Sequence, residues 1–208
     1  MDILTQLGIK YGTDKATTHK FTPFYNEYLE PIRDVVVSVL EVGVFGGASL
    51  KMWEEYFPKA RIFGFDENDT SFCNTDRIKT FVANQSSLVE LHDAVVASDC
   101  PYYDVIIDDG SHFIDDQQKT MGFLFKYVSS GGYFIMEDLH TSNFDLFPRW
   151  YNTEIQVTTL DMLKLLKYNK LMYQYMGPED ANYILENTEY VKIHEVSRGS
   201  ITAIIKKK

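Results

Sequence analysis

The sequence predicts a single-domain α/β fold: a mainly parallel, seven-stranded sheet with helices on both faces and an antiparallel hairpin at its C-terminal end. Three observations carry this. The run Val35-Val36-Val37-Ser38-Val39-Leu40-Glu41-Val42 is nearly continuous and β-branched, as a strand buried on both faces of a parallel sheet reads. Short apolar runs then alternate with helix-period segments, which implies right-handed crossovers. Finally, residues 191–196 and 201–207 are β-rich and flank Ser197-Arg198-Gly199-Ser200, a hairpin signal.

The elements follow in order. Gly43, Gly46 and Gly47 end the first strand, and Leu50, Trp53 and Phe57 recur at helical spacing over residues 48–57. Ile62-Phe63-Gly64-Phe65 stops at Asp66, and Thr80-Phe81-Val82-Ala83 stops at Asn84. Leu88, Leu91 and Val95 share a helical face in residues 86–98. Tyr103 to Ile107 forms a fourth strand ending in Asp108-Asp109. Residues 115–129 read as a helix punctuated by Gly131-Gly132, and Tyr133 to Met136 as a fifth strand ending in Glu137-Asp138. A further helix is expected over 158–171. Residues 1–34 are expected to form a helical cover, and 141–190 an insert serving as a lid or an oligomer contact. Trp150, Tyr151, Tyr173 and Tyr175 are candidates for an interface in a homo-oligomer.

Composition sets the class. The 208 residues suffice for one well-cored domain, and the 45% apolar and 24% charged fractions are those of a globular chain. A formal charge of −10 argues against a nucleic-acid partner, which requires clustered basic residues. Lys206-Lys207-Lys208 reads as a solvated tail. Cys73 and Cys100 suggest neither a disulfide framework nor a zinc site. There is no signal-peptide pattern and no apolar stretch of about eighteen residues, so a soluble cytoplasmic protein without a membrane partner is expected.

In an open parallel sheet, functional groups gather at the carboxyl ends of the strands. That is where Gly43, Asp66, Asn84, Asp109 and Glu137 fall. Glu41-Val42-Gly43-Val44-Phe45-Gly46-Gly47 resembles the first motif of the Rossmann-like class I S-adenosylmethionine methyltransferases. Glycine lets backbone approach a ligand, while carboxylates meet an ammonium and ribose hydroxyls. The dinucleotide fingerprint needs a second glycine where Phe45 stands, which argues against NAD. Asp66 sits where an acid takes a ribose diol. Asn84-Gln85 resembles a pair that many relatives use near adenine. The candidate cofactor contacts are therefore Glu41, Gly43, Phe45, Gly46, Ser49, Asp66, Asn84, Gln85 and Asp108, with Lys15 as a weaker one.

Asp109, Glu137 and Asp138, from adjacent strand ends, can converge as oxygen donors to a hard divalent cation such as Mg²⁺. Without a cation they would repel one another. His112, three residues beyond Asp109, can take a proton from an acceptor hydroxyl. His92, His140 and His194 read as structural, although His140 stands near enough to Asp138 to watch, and His19 is a weaker site candidate.

Tyr11-Gly12-Thr13-Asp14-Lys15 through His19, the Glu41 to Ser49 loop, Ile107 to His112 and Met136-Glu137-Asp138 together resemble the Mg²⁺-dependent sugar O-methyltransferases that tailor macrolide antibiotics, the mycinamicin and macrocin type. The resemblance covers nearly the whole chain, which is expected to lack the extra N-terminal domain that some of those relatives carry. It implies Asp109, Glu137 and Asp138 as metal ligands, His112 as general base, S-adenosylmethionine as donor, and a sugar hydroxyl of a natural product or surface saccharide as acceptor. A catechol-type O-methyltransferase, a cephalosporin-hydroxylase-like enzyme and a non-catalytic nucleoside-binding module are the competing readings.

Overall fold

A computed structural model describes residues 1–150 and 153–208. The N-terminal stretch is helical, with α1 (Ile3–Tyr11), α2 (Asp14–Thr17) and α3 (Thr22–Leu29). Asp2 caps α1 by accepting from the Thr5 N–H, and Gly12 ends it at φ +73°, a left-handed position that glycine takes without a Cβ penalty. Then come β1 (Ser38–Val42), α4 (Ala48–Tyr56), β2 (Arg61–Asp66), β3 (Ile78–Val82), α5 (Leu88–Ser98), β4 (Tyr103–Asp108), α6 (Ile114–Leu124) and β5 (Val128–Met136). The chain closes with α7 (Thr159–Leu166), α8 (Pro178–Asn187), β6 (Thr188–Ser197) and β7 (Ser200–Lys207).

The strand order is β3-β2-β1-β4-β5-β7-β6. The first five strands are parallel, and β7 runs antiparallel to both β5 and β6. The chain therefore reverses direction across the sheet between β1 and β4, the crevice where open α/β sheets hold ligands. Alternate residues of each strand feed two cores. Val105 and Ile107 face α1, α3 and α4, whereas Ile106 faces the side covered by α5 to α8. The expected sheet is thus the observed one.

Four local expectations need correction. The helix expected over 115–129 ends at Leu124, and β5 already begins at Val128, so Gly131 and Gly132 lie within that strand rather than before it. The first strand begins at Ser38, because Val35 and Val37 are exposed and the Asp104 carboxylate accepts the N–H groups of Val37 and Ser38, turning the chain into the sheet. The lysine tail is not solvated throughout. Lys207 is buried at the end of β7, and its ammonium donates to the carbonyls of Lys126 and Val128, at 3.1 and 2.7 Å, and of Phe125. The helix expected over 158–171 stops at Leu166, and α8 was not anticipated; its apolar residues Ala181 and Ile184 mark only one narrow face.

Among the aromatics proposed for an interface, Tyr173 is exposed, Trp150 and Tyr175 are half-buried, and Tyr151 lies outside the described residues. No helix among the described residues is long and apolar enough to cross a membrane.

Candidate active site

A cleft of about 1250 Å³ opens over the carboxyl ends of the parallel strands. One half is built from the loops after β1, β2 and β3. Gly43 stands at φ +89° with its Cα against the Asp109 main chain, so that a Cβ would lie 2.1 Å from the Asp109 carbonyl oxygen. Only glycine allows the β1 and β4 loops to approach this closely. Asp66, at the end of β2, accepts from the Val44 and Phe45 N–H groups through Oδ2, at 2.9 and 3.1 Å, and from Asn68 N–H through Oδ1. Burial pushes its carboxyl up, but these three backbone donors together outweigh that and hold it below the usual carboxylate value. Asp66 therefore shapes the glycine loop as well as facing the cleft.

Phe45, Gly46 and Ser49 line the same half. Phe45 borders the cleft with its ring 95% exposed, on a left-handed backbone at φ +50°. Asn84 is exposed, and its side chain accepts from the Ser86 N–H. Gln85 is buried and acts as a brace: Nε2 donates to Asp108 Oδ1 at 2.6 Å, while Oε1 accepts from Ser111 N–H at 2.7 Å. Its amide thereby ties the β3 loop to the β4 loop. Glu41 and Asp108 lie beneath the cleft floor rather than on its wall.

Burial pushes the Asp108 carboxyl up to about 8, even though the Gly110 N–H and the Gln85 amide both favour the anion. Its Oδ2 is buried and has no hydrogen-bond partner, so no donor there favours the anion. Because the folded value exceeds the unfolded one of about 3.9, the stability linked to this proton is complete below about pH 4. It is lost as the pH rises through about 8. Asp108→Asn is expected to flatten the decline in unfolding free energy between pH 5 and 9, to which this group contributes up to roughly 1.4 kcal/mol per pH unit. Denaturant unfolding across that range measures it, and equal slopes for both proteins would refute it.

The other half of the cleft is acidic, and Lys15 sits under it. The α2 segment folds back across the sheet end and buries the Lys15 side chain to 1% exposure. Its ammonium pairs with Asp109 Oδ2, with Glu41 Oε1 at 3.1 Å and with Glu137 Oε1 at 3.2 Å. Ser49 Oγ donates to the other Glu41 oxygen at 2.7 Å. Burial and the nearby Asp109 charge hold Glu137 well above the ordinary carboxyl value, although Lys15 opposes the shift. Burial alone would lower the Lys15 ammonium, but Asp109, Glu137 and Glu41 outweigh it and raise it well above its ordinary value.

Asp109, His112 and Asp138 present ligand atoms that all lie within 4.8 Å of one another. His112 Nε2 is 3.4 Å from Asp138 Oδ2. His112 and Asp138 both have left-handed backbones, at φ +62° and +54°, conformations that non-glycine residues hold only where the surroundings enforce them. Glu137 is placed deeper than Asp138 and turns Oε1 to Lys15. Thus Asp109 and Asp138 converge beside His112, while Glu137 and Asp109 share the lysine.

Two histidines that the sequence marks only weakly prove to be at the site. His19 and His140 stack at 6.0 Å and approach Asp138 Oδ1 at 3.7 and 3.6 Å. Other residues of the site carry no signal in the sequence. Arg149 lies 4.3 Å over the Trp150 ring, which in turn meets Phe113 and His112 edge-on, walling the cleft. No local pattern links residue 150 to residue 112.

No family model matches the chain. It is 32% identical to an L-olivosyl-oleandolide 3-O-methyltransferase of Streptomyces antibioticus, over 98% of this chain and 55% of that protein. It is 34% identical to a mycinamicin VI 2''-O-methyltransferase of Micromonospora griseorubida, over 86% of this chain and 46% of that protein. The solved MycE methyltransferase of the mycinamycin biosynthetic pathway, in complex with Mg, SAH and mycinamycin VI, superposes with a TM-score of 0.79 at 30% identity. The match covers 99% of this chain and 54% of that one. Over nearly its whole length the chain is thus similar to sugar O-methyltransferases and shares the class I methyltransferase fold of MycE. It spans about half the length of the curated relatives it matches.

For a methyltransferase of this type the site has suitable parts. The cleft exceeds the ~300–1,000 Å³ of a pocket for one small ligand, leaving space for donor and acceptor together. Asp109 and Asp138 supply hard oxygen donors, and Asp138 Oδ1 is buried without a hydrogen-bond partner. This donor chemistry fits a divalent cation.

Proposed function

We propose that the protein transfers the methyl group of S-adenosylmethionine to a hydroxyl of a sugar-containing acceptor, with a divalent cation and His112 activating that hydroxyl. The observation that carries the reading is the convergence of Asp109, Asp138 and His112 beside a cleft floored by Gly43. The loop after β1 and Asp66 hold the donor side. Phe45, Gly46, Ser49, Asn84 and Gln85 border it, while Glu41 and Asp108 support it from beneath. When bound, S-adenosylmethionine supplies an electrophilic methyl on a sulfonium, whose carbon–sulfur bond breaks as the carbon–oxygen bond forms.

Asp109 and Asp138 would hold the cation, with Glu137 as the third carboxylate. A divalent cation lowers the pKa of a hydroxyl it binds and fixes its direction. His112 accepts the hydroxyl proton at Nε2, where Asp138 Oδ2 faces the imidazolium so formed. The Trp150 ring, packed on Phe113, borders His112 on that side. The named acceptors of the relatives are glycosylated natural products, which supports a sugar hydroxyl over a catechol.

The test is methyl transfer from labelled S-adenosylmethionine to a panel of glycosides, with and without EDTA. Transfer is expected to fall at least about 100-fold with chelator and to return with Mg²⁺. Transfer indifferent to EDTA would remove the cation from the mechanism.

A further inference from the structure

The three carboxylates around Lys15 include two, Asp109 and Glu137, that belong to the proposed ligand set. The lysine is not a surface group that happens to lie near them. It is buried to 1% exposure, anchored on Glu41 from below, and its ammonium touches Asp109 while lying 3.2 Å from Glu137. We infer that Lys15 is an internal counter-cation of the acidic site, which holds Asp109 and Glu137 together in the metal-free protein and competes with the divalent ion for them.

The physical argument is one of charge. Glu41, Asp109, Glu137 and Asp138 crowd four carboxyl groups into a small volume, with one ammonium among them. Without Lys15 the carboxylates must separate, take up protons or recruit another cation. With Lys15 they remain converged. Two cations sharing the same anions oppose each other, so binding of the divalent ion and pairing of Lys15 are negatively coupled. Glu41, which is not in the proposed ligand set, gives the ammonium a partner to keep when Asp109 and Glu137 turn to the metal. Its other oxygen is held by Ser49, so this anchor stays in place. A lysine serving merely as packing or support for the ligands would act in the opposite direction, since its loss would splay them and weaken metal binding.

The inference rests on the cation in the proposed function, and the experiment separates the two. Mg²⁺ and Mn²⁺ binding to the wild-type protein and to Lys15→Met is measured by calorimetry, together with melting temperatures with and without metal. The metal-free variant is expected to melt roughly 10 °C below wild type. Its divalent affinity is expected to rise about tenfold, with a correspondingly larger metal-induced rise in melting temperature. Absence of metal binding to the wild-type protein would overturn the cation reading itself. Metal binding to the wild type with unchanged or weaker affinity in Lys15→Met would overturn the role of Lys15 alone. Lys15→Arg keeps the charge and covers the case in which the methionine variant does not fold. It is expected to bind metal no more tightly than wild type, and tighter binding would overturn the inference.

Discussion

Replacement of His112 by alanine is expected to lower kcat by roughly 10²–10⁴-fold, the usual contribution of a positioned general base. A neutral alcohol must lose its proton as it attacks the sulfonium carbon, and His112 Nε2 is the imidazole nitrogen placed 3.4 Å from Asp138 Oδ2, within the group that includes Asp109. His112 is not among the proposed donor contacts, so S-adenosylmethionine affinity is expected to stay within about threefold of wild type, and the loss to fall on kcat. Alanine also disturbs a residue at φ +62°. His112→Asn provides the control, because asparagine tolerates a left-handed backbone and lacks the basic nitrogen. Single-turnover rates with saturating donor and acceptor decide the matter. An asparagine variant retaining the wild-type rate would exclude His112 as the base.

The second large effect is expected at Gly43. An alanine there combines φ +89° with a Cβ placed 2.1 Å from the Asp109 carbonyl oxygen, a main-chain atom that cannot rotate away. Backbone strain of about 1–3 kcal/mol adds to a similar overpacking cost, so a destabilisation of roughly 2–6 kcal/mol is expected. The relief available is separation of the β1 and β4 loops. That movement would shift Asp109 away from Asp138 and widen the donor half of the cleft. Gly43→Ala should therefore lose divalent-ion binding and S-adenosylmethionine binding together, as measured by calorimetry, even at temperatures where it remains folded. Gly46 is the internal comparison, because nothing lies within 4 Å of its would-be Cβ and its φ is not left-handed. An alanine there should cost little.

The type of sheet and the edge that gathers the candidate residues were legible, because both follow from periodicity and chain direction. Continuous apolar runs identify strands covered on two faces, and each such run ends at the same edge of the sheet with a polar residue or a glycine. Asp66, Asp109 and Asp138 could be placed on that edge without coordinates. Their partners could not. Asp66 reads as a ribose acid, yet the structure also gives it the task of holding Val44 and Phe45. Gln85 reads as a ligand contact and proves to be the strut between two loops.

Lys15 is the clearest case. In the sequence it belongs to a loop before the first strand, 26 positions ahead of Glu41 and 94 ahead of Asp109. Nothing in its neighbourhood foretells burial, because a lysine is almost never buried unless it is paired, and its pairs come from three separate elements.

By itself, then, the amino-acid order determined the α/β architecture, the sheet edge that carries the chemistry and the residue types available there, since these depend on local periodicity and short-range stops. Tertiary structure alone decided which carboxylates face the cleft, which face the buried ammonium, and how closely Gly43 meets Asp109. The physical reason is that electrostatic pairing and steric contact act between atoms close in space, whatever the length of chain that separates them.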